Sequence, residues 1–358
     1  MKTTFEITVF QGDGIGPEIM APTIALLTEL AQAAEYELRF TDAPAGAGHY
    51  RDTGDSFPDA SMAAARAADA ILLSAMGLPD VRYPDGTEIS PQIDLRKALT
   101  LFAGVRPVTI RPGQPTPLAT DKPVDFVLIR ESTEGLFYTQ GCGAVEADEA
   151  RETLRITRAI SEPLFKFAFD LAKSRKAAGR GPGKVTCVDK ANVFRAFAFF
   201  REMFDAEAAK HPDIIADHAY VDATALWMVE RPWSFDVMVT ENMFGDILSD
   251  LGAGLMGGLG LAPSADIGFD HAVFQPCHGS APDIAGLGVA NPMAMFLSAA
   301  MMLEWLGGRH GVPAMHTDAA RLREAVENVV AEARVLPRDL GGTSSTADVA
   351  AAVREALK

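Results

Sequence analysis

Cysteine is scarce in this 358-residue chain: Cys142, Cys187 and Cys277 are odd in number, widely spaced and without a C-x-x-C pair. That excludes a disulfide framework and points to a reducing compartment. Basic charge is in deficit as well, with 32 Lys and Arg against 48 Asp and Glu and a formal net charge of −16. A field of that sign attracts neither nucleic acid nor an anionic membrane surface, so a small anion must be caught by local cations. Long apolar runs are missing. The most apolar window, "PMAMFLSAAMML" at 292–303, has 12 residues and closes at Glu304, too short to span a bilayer. The N-terminal "MKTTFEITVF" alternates like a strand and lacks the apolar core and cleavage site of a signal peptide. The expectation is a soluble cytoplasmic protein with no nucleic-acid and no membrane partner.

What is present is an ordinary globular composition, 48% hydrophobic and 8% aromatic, long enough for two domains or one large α/β unit. Strand-like runs ("FEITVF", "YELRF", "AILLSAM", "DFVLIR", "KVTCV", "IADHAYVD", "FDVMVT") alternate with stretches rich in Ala, Leu, Glu and Arg. Such alternation predicts an α/β fold with a largely parallel sheet. "RPGQPTPLATDKP" at 111–123 and "KSRKAAGRGPGK" at 173–184 read as surface loops. "GAGLMGGLGLAPSA" at 252–265 reads as a domain crossing, a close approach to a ligand, or a packed turn.

"ITVFQGDGIGPEIM" at 7–20 imitates a dinucleotide-binding fingerprint, with glycines at 12, 14 and 16 after a strand and Asp42 at the distance of a ribose-binding acid. The third glycine of that fingerprint falls on Pro17, which instead suits the first turn of a helix capped by Gly16.

The sharpest chemical signal is "TENMFGDILSDL". Asp246 and Asp250 are four apart and share a helix face, with Ser249 nearby. Like charges at that spacing cost a helix about 0.2–0.5 kcal/mol, and a solvated face is the bland alternative. Asp222, closing the strand-like "HAYVD", adds a third carboxylate; three without His or Cys suit Mg²⁺ or Mn²⁺. Arg96, Arg106 and Arg130 sit at helix and strand ends and are suited to clamp a polycarboxylate, although each singly reads as a salt-bridge partner. Lys190 in "CVDKANVF" is a candidate base, and Tyr138 in "STEGLFYTQG" a candidate proton relay.

"GDGIGPE", "LRKALTLFAGVRP", "IRESTEG", "DKANV", "YVDA", "FGDILSDL", "HGSAPDIAG", "ANP" and "DLGGT" occur in the order and spacing of the β-decarboxylating dehydrogenases. The chain resembles that family, which includes 3-isopropylmalate, isocitrate, homoisocitrate and tartrate or D-malate dehydrogenases, over nearly its whole length. The resemblance implies the isopropylmalate dehydrogenase-like two-domain α/β fold with a central cleft, not a Rossmann fold. Residues 1–101 and 257–358 would form the cofactor-binding domain and 102–256 the metal, substrate and dimerisation domain.

Carried over residue by residue, Arg96, Arg106 and Arg130 would bind the malate carboxylates, and Asp222, Asp246 and Asp250 the metal. His278 and Asn291 would lie near adenine, Gly279, Ser280 and Ala281 along the cofactor backbone, and Asp339 at the adenine border. Asp283 would hold the ribose; with Ile284 it replaces the Lys-Tyr of NADP users and implies NAD. Lys190 would take the 2-hydroxyl proton as hydride leaves C2, and Tyr138 would protonate the enolate left by loss of CO₂. Lys190 and Asp222 would arrive from a neighbouring subunit, implying a homodimer.

Substrates of this family differ at C3, and "EISPQIDLR" is the segment that reads that position. Isopropylmalate enzymes usually carry a longer insert with a leucine; isocitrate enzymes carry serine and asparagine where this chain has Ser90 and Gln92. A polar reader disfavours an isopropyl group, at about 1–3 kcal/mol for an unsatisfied buried polar group. Ser90 also reads as a helix cap before Pro91, and Glu88 and Asp94 discourage a third carboxylate. The expected order is tartrate or D-malate ahead of isocitrate or homoisocitrate, with 3-isopropylmalate still open. A regulatory paralogue, a solute-binding protein and an ordinary Rossmann dehydrogenase are the alternatives, the first weakened because Lys190, Tyr138 and the three aspartates are all present.

Overall fold

A computed structural model describes residues 2–358. The first hundred residues alternate β1 (Thr4–Phe10), α1 (Gly16–Gln32), β2 (Glu37–Asp42), α2 (Ala47–Thr53), α3 (Asp59–Ala67), β3 (Ala70–Leu73) and α4 (Pro91–Ala98). The middle supplies β4 (Ala103–Ile110), β5 (Val124–Glu131), a small hairpin of β6 (Ala144–Val145) and β7 (Ala150–Arg151), and α5 (Arg158–Ala177). It continues through β8 (Lys184–Asp189), α6 (Arg195–Ala208), β9 (Ile215–Tyr220), α7 (Val221–Glu230), β10 (Val237–Thr240) and α8 (Asn242–Leu255). The chain then adds β11 (Pro263–Ile267), β12 (Ala272–Pro276), α9 (Met293–His310), α10 (Pro313–Glu332) and α11 (Thr346–Ala356).

Ten strands form one sheet in the order β2-β1-β3-β12-β11-β4-β5-β10-β8-β9. Its first five strands come from residues before 103 and after 256, its last five from the middle of the chain. The sheet is largely parallel, as expected, but not wholly so: β12–β11, β11–β4 and β4–β5 pair antiparallel, and the pairs on either side of them are parallel. The antiparallel strands sit where the halves join, because consecutive β4 and β5 are linked without a crossover helix.

The apolar window read from the sequence becomes α9, where Met293, Phe296, Ala299 and Leu303 are fully buried between sheet and neighbouring helices. No described helix is long and apolar enough to cross a membrane. In the other half Phe165 packs edge-on against Phe200 and Phe204. Each such buried ring stabilises the fold by about 1.5–3 kcal/mol through loss of apolar surface from water.

Five local expectations change. Helix α1 starts at Gly16 with Ile15 at its cap, so Gly16 is not the cap and Pro17 is the second helical residue. Strand β9 stops at Tyr220, and Asp222 lies in the first turn of α7, not at a strand end. The 252–265 segment divides into the end of α8, a short 3₁₀ turn and the start of β11, and the loop after α5 begins only after Ala177. Ser90 occupies the cap position of α4, but its side chain makes no capping bond.

The opening glycine stretch is a tight turn packed on a distant loop. Gly14 has φ +59°, and a Cβ there would stand 1.9 Å from the Ser280 carbonyl oxygen; next to it, the Ile15 amide donates to that same oxygen at 2.8 Å. Gly14→Ala is expected to cost more than the about 1–2 kcal/mol of left-handed strain alone, whereas Gly54→Ala, at φ +82° with open space around it, should cost only that strain. Thermal unfolding of the two variants, with limited proteolysis around residue 280, checks the difference.

Candidate active site

The arginines meet in a cleft on one face of the sheet. Arg96 lies in the last turn of α4, where the helix dipole favours a cation; Arg106 points from β4 and Arg130 from the end of β5. All three line one cavity of about 270 Å³ with Gln92, Asp246, Asp250 and His278.

Beneath them is a fully buried carboxylate absent from the sequence reading. Asp266 on β11 accepts from Arg96 Nε at 3.0 Å, Arg106 Nη2 at 3.5 Å, Gln275 Nε2 at 2.8 Å and Ser132 Oγ at 3.3 Å. Burial alone would push its carboxyl up, but the charges of Arg96, Arg106 and Arg130 outweigh burial and hold it below its usual range. Arg130 is oriented by Asn242 Oδ1, which accepts from Nε at 2.9 Å and Nη2 at 2.7 Å, by an ion pair with Asp246, and by the Phe137 ring 5.2 Å away. Burial, then repulsion by Arg96, lowers the Arg130 guanidinium to about 10, still charged at neutral pH. Arg106 Nη1 and Gln92 Oε1 are buried with no hydrogen-bond partner. A cleft with crowded guanidiniums and unpaired polar atoms is built for an anion carrying further polar groups.

Asp246 and Asp250 enter the cleft from α8, one turn apart as the spacing predicts. Burial, and then the Asp246 charge, raises Asp250. Asp222 does not join them: its Oδ1 accepts from Lys190 Nζ at 2.6 Å, and neither residue lines the cleft. Among the described residues no cluster of three or more His, Cys, Asp or Glu is placed to hold a metal ion. The Lys190 bond holds Asp222 below its usual range. Lys190 is itself placed by Asp189, which is buried, grips Arg201 at 2.7 and 2.8 Å, and accepts from the Ala191 amide. Tyr138 also lies outside the cleft lining, 48% exposed on a 3₁₀ turn with the Arg155 guanidinium 4.0 Å from its ring. Ser90 does not line the cleft; its Oγ donates to the Glu88 carbonyl at 3.4 Å.

The 278–291 loop reaches the same cavity through His278 and Gly279. His278 Nδ1 faces the Gly279 carbonyl at 2.9 Å, while its Nε2 is buried and unpartnered; burial lowers the ring's pKa. Ser280 Oγ donates to the Gly77 carbonyl, and Ala281 takes φ +38°. Asp283 is exposed and Ile284 half-buried. Asn291 Nδ2 donates to Asp339 Oδ2 at 3.0 Å, bringing together two residues 48 apart in sequence. Glu18 of α1 fixes the loop by accepting from the Gly288 and Ala290 amides at 3.3 and 2.9 Å and from Thr346 Oγ1. Asp13 ties the same turn to its surroundings through the Ala47, Gly48 and Gly77 amides, all at 2.8 Å. The sequence reading missed Asp13, Glu18, Asn242 and Asp266. Only Asp266 carried a usable signal, a lone acid inside an apolar strand, which demands a buried partner.

Fold and cleft together define an α/β protein with an arginine-rich cleft where the two halves of one sheet meet. A sequence model described as isocitrate/isopropylmalate dehydrogenase matches residues 6–353. The chain is 40% identical over 356 residues, 99% of each chain, to a 3-isopropylmalate/3-methylmalate dehydrogenase of Methanocaldococcus jannaschii. It is 41% identical over 354 residues to a homoisocitrate dehydrogenase of the same organism, covering 96% of this chain and 95% of that one. The crystal structure of isocitrate dehydrogenase from Methylococcus capsulatus superposes with a TM-score of 0.86 at 37% identity, covering 99% of both chains. The chain belongs to the isocitrate/isopropylmalate dehydrogenase family and is a β-decarboxylating oxidoreductase.

Replacing Asp266 by Asn leaves the buried Arg106 and the half-buried Arg96 without their counter-charge. Asp266→Asn is expected to destabilise the fold by about 3–5 kcal/mol and to raise KM for the acid substrate. Because its folded pKa lies below the ordinary 3.8, the stability Asp266 contributes is present above that value and is lost as pH falls through the depressed one. Urea unfolding of both proteins down to about pH 2 should show that acid-side loss in the native protein and not in the variant.

Proposed function

We propose that the protein catalyses NAD-dependent, divalent-metal-dependent oxidative decarboxylation of a malate-type 2-hydroxy acid with a small polar group at C3, tartrate or D-malate. The observation that carries this reading is the pair of buried, unpartnered atoms, Arg106 Nη1 and Gln92 Oε1, in one cavity with Arg96, Arg130, Asp246 and Asp250. Guanidinium donors match the carboxylates of a malate core. The Gln92 amide matches a hydroxyl and would be stranded by an isopropyl group. The Ile93 and Met76 side chains in the same lining, with the named relatives, keep 3-isopropylmalate and homoisocitrate as the second reading.

Asp246 and Asp250 fit a hard cation, being two carboxylates on one helix face in a cleft whose burial and mutual repulsion a positive ion would relieve. A metal bound there supplies Lewis-acid polarisation of the oxidised carbon's oxygen and of the carbonyl that makes CO₂ loss easy. Arg96, Arg106 and Arg130 hold the carboxylates, and Asp266 keeps two of those guanidiniums aimed. We assign the third carboxylate, Asp222, and the base that accepts the hydroxyl proton, Lys190, to the partner subunit of a homodimer, because neither reaches the cleft of its own chain. Tyr138 is assigned the proton returned at C3.

For the cofactor, His278 Nε2 is a buried acceptor with no donor, which suits an adenine amine. The exposed Asp283 carboxylate suits a ribose 2′-hydroxyl and repels a 2′-phosphate, and Ile284, Asn291 and Asp339 complete the loop. We take residues 1–101 with 257–358 as the cofactor half and 102–256 as the metal half, a division that the strand order supports.

The panel of D-malate, tartrate, 3-isopropylmalate, isocitrate and homoisocitrate, assayed with NAD or NADP and Mn²⁺, should give NADH and CO₂ most rapidly with tartrate or D-malate. NADP should be poor, and a preference for 3-isopropylmalate would overturn the C3 assignment. Mixing Lys190→Ala and Asp250→Asn subunits, each inactive alone, should restore about a quarter of native activity, since half the dimers are mixed and each mixed dimer has one intact site. No recovery after subunit exchange would remove Lys190 from the partner's cleft.

A further inference from the structure

The face of the sheet opposite the cleft carries a second cavity, of about 230 Å³. Alternation along the strands assigns neighbouring residues to the two sites: on β4 Arg106 lines the cleft while Val105, Pro107 and Thr109 line the back, and on β11 Ser264 lines the cleft and Pro263 the back. One layer of backbone separates them. Both halves of the chain build the back cavity, Val127 and Leu171 from the middle and Leu261, Met301 and Val330 from the rest. Its lining is mostly apolar, with Thr109, Ser174 and the buried Arg175, itself paired with Asp125 and Asp236, among its polar members.

Its mouth is charged. Arg111, Arg180 and Arg323 line both this cavity and a wider space of about 500 Å³ beside it. Arg111 pairs with Glu327 at 3.1 Å, Arg323 with Glu304 at 2.7 Å and Arg180 with Asp125 at 3.2 Å. Each guanidinium has five N–H donors, so these pairs leave donors to spare. Arg111 and Glu327 belong to opposite halves, so their ion pair spans the mouth. Glu304, Glu324 and Glu327 share that lining, so the mouth carries no excess of positive charge; what suits it to a carboxylate is the set of spare guanidinium donors on Arg111 and Arg323.

We infer that the back cavity is a second ligand site, for an amphipathic monocarboxylate whose hydrocarbon body fills the mostly apolar interior and whose carboxylate joins Arg111 and Arg323 at the mouth. The site shares no lining residue with the cleft. A ligand there touches both halves at once, so it stabilises one arrangement of them and is linked to cleft affinity by their coupling.

Octanoate serves as the probe, with the full-length protein and isothermal titration calorimetry. The expected result is saturable binding at one site per chain, unchanged in Asp250→Asn. Met301→Trp, which fills the cavity, should abolish it. The Arg111→Ala/Arg323→Ala double variant, on the half-exposed rim, should weaken it about tenfold, the value of one charge-assisted hydrogen bond. Octanol should bind weakly. Absence of saturable octanoate binding would overturn the proposal, as would binding that survives both variants, binding that is lost in Asp250→Asn, or octanol binding as tightly as octanoate. Circular dichroism and melting of Met301→Trp establish that it is folded; if it is not, the rim variant and octanol decide.

Discussion

The buried Asp266 carboxylate is the constraint around which the rest of the cleft is arranged. It sits on β11, in the strand that pairs antiparallel with β4 where the two halves of the sheet meet, and its partners come from α4, β4, β12 and the segment after β5. A buried charge is costly unless every lone pair is met. Meeting them here requires Arg96 and Arg106, from opposite sides of the junction, to hold fixed positions. The same ion network that joins the sheet therefore orients the guanidiniums that face the cleft. Stability and the geometry of the cleft's arginines are coupled through one side chain.

The neighbouring elements follow from that arrangement. Asn242 and Asp246, in the first turns of α8, take up the donors of Arg130, which makes no bond to Asp266, so the helix bearing the acidic pair is docked by an arginine. On the other side, Gly14, Ile15 and Glu18 pack the opening turn against the 278–291 loop. A stretch that imitates a phosphate-binding fingerprint thereby acts as the support for the loop that reaches the cleft through His278. Asp222 and Lys190 stand apart from all of this, paired with each other. Their distance from Asp246 and Asp250 is the observation behind the proposal of a site shared between subunits.

Much of this was legible in the sequence. The i, i+4 spacing of Asp246 and Asp250 determined that they share a helix face, and the alternation of strand-like and helical runs determined an α/β fold. The failed glycine spacing at Pro17 excluded a Rossmann turn. The apolar window at 292–303 was legible as too short to span a bilayer; that it lies in the buried helix α9 is a finding of the structure. Local periodicity carries such information because it depends on neighbours within a few residues.

Only the tertiary structure decided the rest, for the opposite reason. Pairing of Asp266 with Arg96, 170 residues away, of Asn291 with Asp339, and of Glu18 with Thr346 is set by strand order and loop packing, which no short window encodes. The antiparallel strands at the sheet's centre, the separation of Asp222 from Asp246 and Asp250, and the back cavity opposite the cleft are likewise products of topology. The sequence by itself determined which chemical groups were available and on which local faces they lay. The fold decided which of them meet, because burial makes an unpaired charge expensive and so selects among distant partners.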